Sequence, residues 1–210
     1  MKTLIVKYLP AAEESNTKKL LDIFKNNLTS EFVELDLLKT DLPFFNEKSL
    51  AAYSKRNYLG QELDSEEAKL LEKNDQLAAQ LKAADILVMA YPMHNFGMPA
   101  LVKGWLDAVV LKGETFDYEK KMMAGKKALT LYTSGGIYSN DTFNFAYPNW
   151  NGIALMTGVN FNFMGFDEHQ IIGTSLKDDL DTGDEQSLRA NNLANCTEQI
   201  KAVIKSYYQA

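Results

Sequence analysis

Apolar residues recur along this chain in two alternating rhythms. Thr3–Tyr8 is a short β-branched apolar run, which predicts a strand buried on both faces. Leu20, Leu21, Phe24 and Leu28 then recur at helical spacing behind Ser15-Asn16-Thr17, and Phe32–Leu38 predicts a second strand. A longer connection from Lys39 to Asp64 contains Pro43 and a small helical stretch around Ser49–Tyr58. Leu70, Leu71, Leu77, Ala78 and Leu81 mark the next helix, and Asp85–Tyr91 is the clearest buried strand. Pro99 stands where a first-turn proline is tolerated, ahead of a helix carrying Leu101, Trp105 and Val109. Lys127–Tyr132 predicts a fourth strand and Val159–Phe166 a fifth. The last helix carries Leu193, Cys196, Ile200, Ile204 and Tyr207 on one face.

Strands separated by helices predict an α/β fold, a parallel sheet covered on both faces. Right-handed crossovers make a three-layer open sheet the simplest arrangement, and strand order 2-1-3-4-5 is the expected one. Neither repeats nor a linker divides the chain, so residues 1–210 are expected to form a single domain.

In such a sheet ligands sit beyond the carboxyl ends of the strands, where the strand order reverses. Three loops therefore matter. The first ends in Ser15-Asn16-Thr17 at a helix N-terminus, where free amides and the helix dipole favour an anion. These three side chains suit a terminal phosphate without a basic residue, although Ser15 alone also fits a plain N-cap. The loop lacks the G-x-G-x-x-G spacing of dinucleotide sites. The second loop, Tyr91 to Pro99, has two further prolines' worth of restraint in Pro92 and Pro99, with Met93, His94, Asn95 and Phe96 between them. That mixture offers a face to pack on and hydrogen bonds around an edge, as a flat heteroaromatic ring requires; a rigid structural turn is the plainer alternative. The third loop, Thr133-Ser134-Gly135-Gly136, permits a tight turn and close approach of its backbone to a ligand.

Composition narrows the classes. A content of 46% hydrophobic and 24% charged residues is that of an ordinary globular protein. The net charge of -6, with no Lys/Arg block, argues against a nucleic-acid partner. A single cysteine, Cys196, excludes an internal disulfide framework and fits a reducing compartment. With only His94 and His169 besides it, no metal site is expected. No signal peptide is apparent, because Lys7 interrupts the first apolar run, and no run reaches membrane-spanning length. A cytoplasmic protein without a membrane partner is the expectation.

The run Pro92-Met93-His94-Asn95-Phe96-Gly97-Met98-Pro99, followed by Lys103, Trp105, Asp107 and Lys112-Gly113-Glu114-Thr115-Phe116, resembles the FMN-dependent NADH-azoreductases. These belong to the NAD(P)H:quinone oxidoreductase-like flavoproteins, and the likeness runs from Thr3 to the last helix. The resemblance implies a flavodoxin-like fold, FMN as cofactor, NADH or NADPH as co-substrate, and a homodimer. It implies that Ser15, Asn16 and Thr17 bind the FMN phosphate. Met93, His94, Asn95 and Phe96 would line the isoalloxazine, and Thr133, Ser134, Gly135 and Gly136 would meet its pyrimidine edge. His94 stands where the family commonly has tyrosine.

The expected activity is then two-electron transfer from NAD(P)H to a small quinone or azo acceptor in a ping-pong sequence. The flavin carries the hard chemistry and no catalytic side chain is certain, with His94 either assisting as a donor or only shaping its loop. Phe116, Tyr118 and Phe143 are expected to line the substrate pocket. The aromatic stretch Tyr138, Phe143, Phe145, Tyr147 and Trp150 reads as a lid, a dimer contact or a satellite core. A flavodoxin-type electron carrier and a non-catalytic flavin-binding regulatory protein are the alternatives on the same fold.

Overall fold

A computed structural model describes residues 1–135, 152–175 and 185–208. Five strands form one sheet in the order β2-β1-β3-β4-β5, every neighbouring pair parallel. They are β1 Thr3–Lys7, β2 Phe32–Asp36, β3 Ile86–Pro92, β4 Lys127–Ser134 and β5 Glu168–Ser175. The helices are α1 Asn16–Asn27, α2 Glu47–Tyr53, α3 Ser65–Lys82, α4 Ala100–Val109, α5 Gly152–Met164 and α6 Glu185–Tyr208. A π-helical turn, Ser54–Tyr58, prolongs α2. The expected α/β class and strand order hold.

Period-two alternation assigns the strand residues to two cores. Leu87, Met89 and Tyr91 of β3 face Leu77 and Leu81 of α3, Trp105 of α4 and Phe161 of α5. Ile86, Val88 and Ala90 face Leu20 and Phe24 of α1 and Cys196, Ile200 and Tyr207 of α6. The central strands are apolar almost throughout because helices cover both faces. The Tyr207 hydroxyl donates to the carbonyl of Ala128 at 2.9 Å, fixing α6 on β4.

The fifth strand is a correction. Residues 159–164, expected within a strand at Val159–Phe166, belong to helix α5, and β5 begins only at Glu168. Helix α5 is apolar almost all round: Ile153, Thr157, Phe161 and Met164 are buried, while Leu155, Val159 and Phe163 are exposed. Apolar residues on both faces erase the helical period, so residues 159–164 mimic a strand. The true edge strand carries Glu168, His169 and Gln170 and announces itself weakly. Its Gly173 is required by packing, since a Cβ there would lie 1.8 Å from the Tyr132 ring.

Candidate functional site

The first loop closes on itself before α1 begins. Ser15 is the N-cap, its hydroxyl accepting from the Lys18 amide at 3.3 Å, and both Ser15 and Thr17 are buried. Capping takes one orphan donor, and the other first-turn amides lack a helical acceptor by geometry. Asn16 is oriented by Lys19, whose ammonium donates to its Oδ1 at 2.8 Å. Lys18 is held between Asp22 and Glu13, at 2.8 and 3.4 Å, and its hydrogen bond to Asp22 raises its pKa.

The second loop is a tight reversal. The His94 amide donates to the Gly97 carbonyl at 3.0 Å and the Gly97 amide returns the bond to His94 at 2.9 Å. Between them Asn95 and Phe96 have φ of +46° and +65°, the left-handed pair that such a two-residue turn demands. Asparagine adopts that conformation readily; a phenylalanine there costs about 1–3 kcal/mol, and such strain gathers at ligand sites. Phe96 keeps the conformation with its ring about half exposed. Its carbonyl accepts from the Gly152 amide at 2.9 Å, and a Cβ on Gly152 would sit 2.6 Å from that oxygen. Glycine at the start of α5 is thus what lets the helix seat on the loop.

The third loop joins the other two. The Met93 amide donates to the Thr133 carbonyl at 2.7 Å, and the Thr133 hydroxyl meets the Thr17 hydroxyl at 2.7 Å, both side chains buried. Ser15, Thr17, Met93 and Thr133 therefore form one connected wall at the carboxyl ends of β1, β3 and β4. Beside it a Cβ built on Gly97 or Gly135 meets nothing within 4 Å, so there is open space along the rims of both loops. Gly136 and the stretch from Tyr138 to Trp150, including Phe143, lie outside the described residues.

Tyr8, which in sequence is only the end of an apolar run, belongs to this wall. Its ring stands edge-on to His94, with centroids 5.6 Å apart and planes at 80°. His94 is therefore packed on one side, which suits a loop-shaping role.

Phe116 and Tyr118 are gathered elsewhere. They form an aromatic cluster with Phe163, whose ring lies 4.6 Å from Phe116 and 6.0 Å from Tyr118. Helix α5 starts at the second loop and Phe163 is three turns further along, about 16 Å away at 1.5 Å per residue. Phe163 lies at the end of α5 that leads into the start of β5, whereas the first residue of α5 meets the second loop at the carboxyl ends of the strands. The sequence gives no sign of Phe163 because its segment reads as a strand; as a helix, Leu155, Val159 and Phe163 fall on one stripe.

Phosphate and ring chemistry fit this wall. Hydroxyls and helix-terminal amides at one end suit a phosphate, and a restrained loop with an exposed aromatic and open rims suits a flat ring. The fold and site together define a flavodoxin-like α/β protein with a place for a phosphorylated aromatic cofactor. A family model of the flavodoxin-like fold matches residues 1–194. The chain is 30% identical over 195 residues to an FMN-dependent NADH:quinone oxidoreductase of Bacillus anthracis, covering 84% of this chain and 86% of that one. A second such oxidoreductase, from Beijerinckia indica, is 31% identical over 178 residues, covering 80% and 85%. The crystal structure of an FMN-dependent NADH-azoreductase from Bacillus anthracis in complex with FMN superposes with a TM-score of 0.78 at 26% identity, covering 98% of this chain and 99% of that one. The chain belongs to this flavodoxin-like family, the one that includes the FMN-dependent NADH:quinone oxidoreductases.

Among the described residues no group of three or more His, Cys, Asp or Glu side chains is placed to hold a metal. No described helix is long and apolar enough to cross a membrane.

Proposed function

We propose that this protein is an FMN-dependent oxidoreductase that transfers two electrons from NADH to quinone or azo-type acceptors. The observation that carries the reading is the buried Thr17–Thr133 hydroxyl pair at 2.7 Å, which binds the anion end of the wall to its ring end. The named activities of the relatives supply the donor and acceptor classes.

Ser15, Asn16 and Thr17 hold the phosphate through hydroxyl, amide and helix-terminal donors. Met93, His94, Asn95 and Phe96 pack along the ring, and Thr133, Ser134, Gly135 and Gly136 bound its polar edge. FMN, when bound, supplies the two-electron redox chemistry that links donor to acceptor. The strained Asn95-Phe96 turn, braced by Gly152, fixes one wall of the opening and keeps water from that side. Two planar partners cannot both stack at reacting distance on one ring face, so donor and acceptor take turns there and the kinetics are ping-pong. The relatives' named donor is NADH, and NADH is taken as the donor here.

The working unit is a homodimer. Leu155, Val159 and Phe163 expose 69%, 58% and 43% of their surfaces along one face of α5, beside Tyr118 at 68%. A contiguous apolar stripe of this kind marks an interface. A two-fold partner covers it and brings Phe116, Tyr118 and Phe163 of one copy to the opening of the other, a distance they cannot cross within their own chain. Phe143 is assigned to the same pocket.

Anaerobic addition of NADH to the yellow, FMN-loaded protein should bleach its visible absorption, and a quinone should restore it. Double-reciprocal lines at several acceptor concentrations should be parallel. A protein that binds no FMN, or whose absorption NADH leaves unchanged, refutes the reading; abundant one-electron-reduced flavin would favour an electron carrier.

A further inference from the structure

Lys112 is fixed more firmly than a lysine with no partner charge ordinarily is. Its amide donates to the Tyr53 hydroxyl at 2.9 Å and its carbonyl accepts from Asn57 Nδ2 at 2.7 Å. Its ammonium lies 5.3 Å from the centre of the Tyr58 ring and donates to the Asn57 carbonyl at 3.4 Å. Tyr58 and Asn57 come from the π-helical turn Ser54–Tyr58, a local irregularity that costs stability and recurs at functional sites. The turn is anchored by Arg56 on Asp75 and by Lys55 on Glu67 at 2.6 Å.

Three neighbouring cations are paired with carboxylates. Arg56 pairs with Asp75, Lys55 with Glu67, and Lys82 with Glu114 at 2.6 Å. The Asp117 carboxylate accepts from the Glu119 amide at 3.0 Å. Among the described residues no carboxylate forms an ion pair with Lys112. The ammonium is near enough to Tyr118 to lower its pKa, against a larger raising effect of the Tyr58 hydroxyl. The backbone of Lys112 bridges to that of Phe116, with the Gly113 amide donating to the Phe116 carbonyl at 2.8 Å, and the exposed ring of Tyr118 packs edge-on against buried Phe116 at 5.8 Å. A flat ring bearing a negative substituent is what this combination accommodates: aromatic contact for the ring and an unspent ammonium for the charge.

We infer that Lys112, with Tyr58 and Tyr118, forms a subsite for an anionic group attached to a planar aromatic reactant. It rests on the two-copy oxidoreductase reading, which brings this cluster to the partner's opening. The negative group comes either from the acceptor, as a sulfonate or carboxylate, or from the phosphates of the nicotinamide dinucleotide. Asp117 limits the attraction, but at the Tyr118 hydroxyl the field of the Lys112 ammonium exceeds that of the Asp117 carboxylate.

The test compares the FMN-loaded full chain with its Lys112→Met and Lys112→Arg variants. Two acceptors are used, naphthoquinone and its sulfonate, and two donors, NADH and the uncharged N-benzyl dihydronicotinamide. Lys112→Met should lower kcat/KM about tenfold, through KM, for the charged member of one pair, and leave the uncharged members within about twofold. Lys112→Arg should restore the preference, and high salt should erase it in the parent. Loss confined to the sulfonated quinone assigns the anion to the acceptor; loss confined to NADH assigns it to the dinucleotide. Equal effects on charged and uncharged reactants, or none, overturn the inference. A parent that fails to reduce neutral naphthoquinone would refute the oxidoreductase reading by itself. Fluorescence titration with anthraquinone sulfonate then tests Lys112 alone, about tenfold weaker binding to Lys112→Met supporting the subsite and equal binding overturning it.

Discussion

Acid should destabilise the protein through His169 well above the range in which carboxylates protonate. The imidazole lies under α5, its Nε2 3.2 Å from the Thr130 hydroxyl and its ring edge-on to Phe161 at 4.7 Å. Burial pushes its pKa down from the ordinary 6.5 to about 4, because the site solvates an imidazolium poorly. Unfolded chains take up the proton near 6.5 while the folded protein refuses it until about 4. Stability from this residue is therefore complete above 6.5, falls as the pH drops toward 4, and changes no further below. The full difference corresponds to about 3 kcal/mol, of which about 2 kcal/mol is gone by pH 5. Urea unfolding of the parent and of His169→Gln from pH 7.5 to pH 4.5 isolates the effect, since the variant keeps a hydrogen-bonding side chain without a proton to gain. The stability gap between the two should move by about 2 kcal/mol in favour of the variant as pH falls from 7.5 to 5. A gap that stays constant over that range would show that the imidazole is as well solvated folded as unfolded.

Three further outcomes are expected. Ser15→Ala with Thr17→Ala should weaken FMN binding about tenfold or more while riboflavin affinity stays within about twofold, read by fluorescence titration; equal loss for both flavins would remove the phosphate from this helix terminus. Gly173→Ala should cost about 1–3 kcal/mol in chemical denaturation, because the new methyl must displace the Tyr132 ring; unchanged stability would mean that the ring moves freely. Val159→Glu should shift the mass in light scattering from dimer toward monomer and reduce turnover without lowering the stability of the folded chain, since the side chain is 58% exposed; an unaltered mass would place the interface elsewhere.

The parts of the fold legible in the sequence are those whose burial is uniform. β3 reads as a strand because Ile86 to Tyr91 are all buried, and α1 reads as a helix because Leu20, Leu21 and Phe24 share one face. The α5–β5 region misleads for the same physical reason in reverse. Its helix is apolar on the core side and again on the outer side, while its strand is an edge with one polar end. A helix with no polar face cannot be told from strand by period. Ser15, Thr17, Met93 and Thr133 are named by loop position and chemistry, and hydrogen bonds bring Thr17, Met93 and Thr133 together at the strand ends, with Ser15 two residues from Thr17 at the start of α1. Tyr8 was hidden by its place at the end of an apolar run, where a core reading accounts for it equally well.

The placement of Phe116 and Tyr118 links this reading of the fold to the chemistry. Their motif directly follows the second loop's helix in sequence, which suggests one pocket, yet α4 runs antiparallel to the strands and carries the chain away from the site before they appear. Two facts then need a common cause: aromatic side chains set far from the loops they accompany, and an α5 stripe left uncovered by its own chain. The proposed two-fold partner would supply that cause, because a rotation that buries Leu155 and Val159 would return Phe163 and Tyr118 to a wall of the opposite subunit. On this account the monomer folds around a site it does not complete. Dilution below the dimer dissociation constant should then cost turnover while FMN stays bound, since every residue assigned to the cofactor's phosphate and ring comes from a single chain.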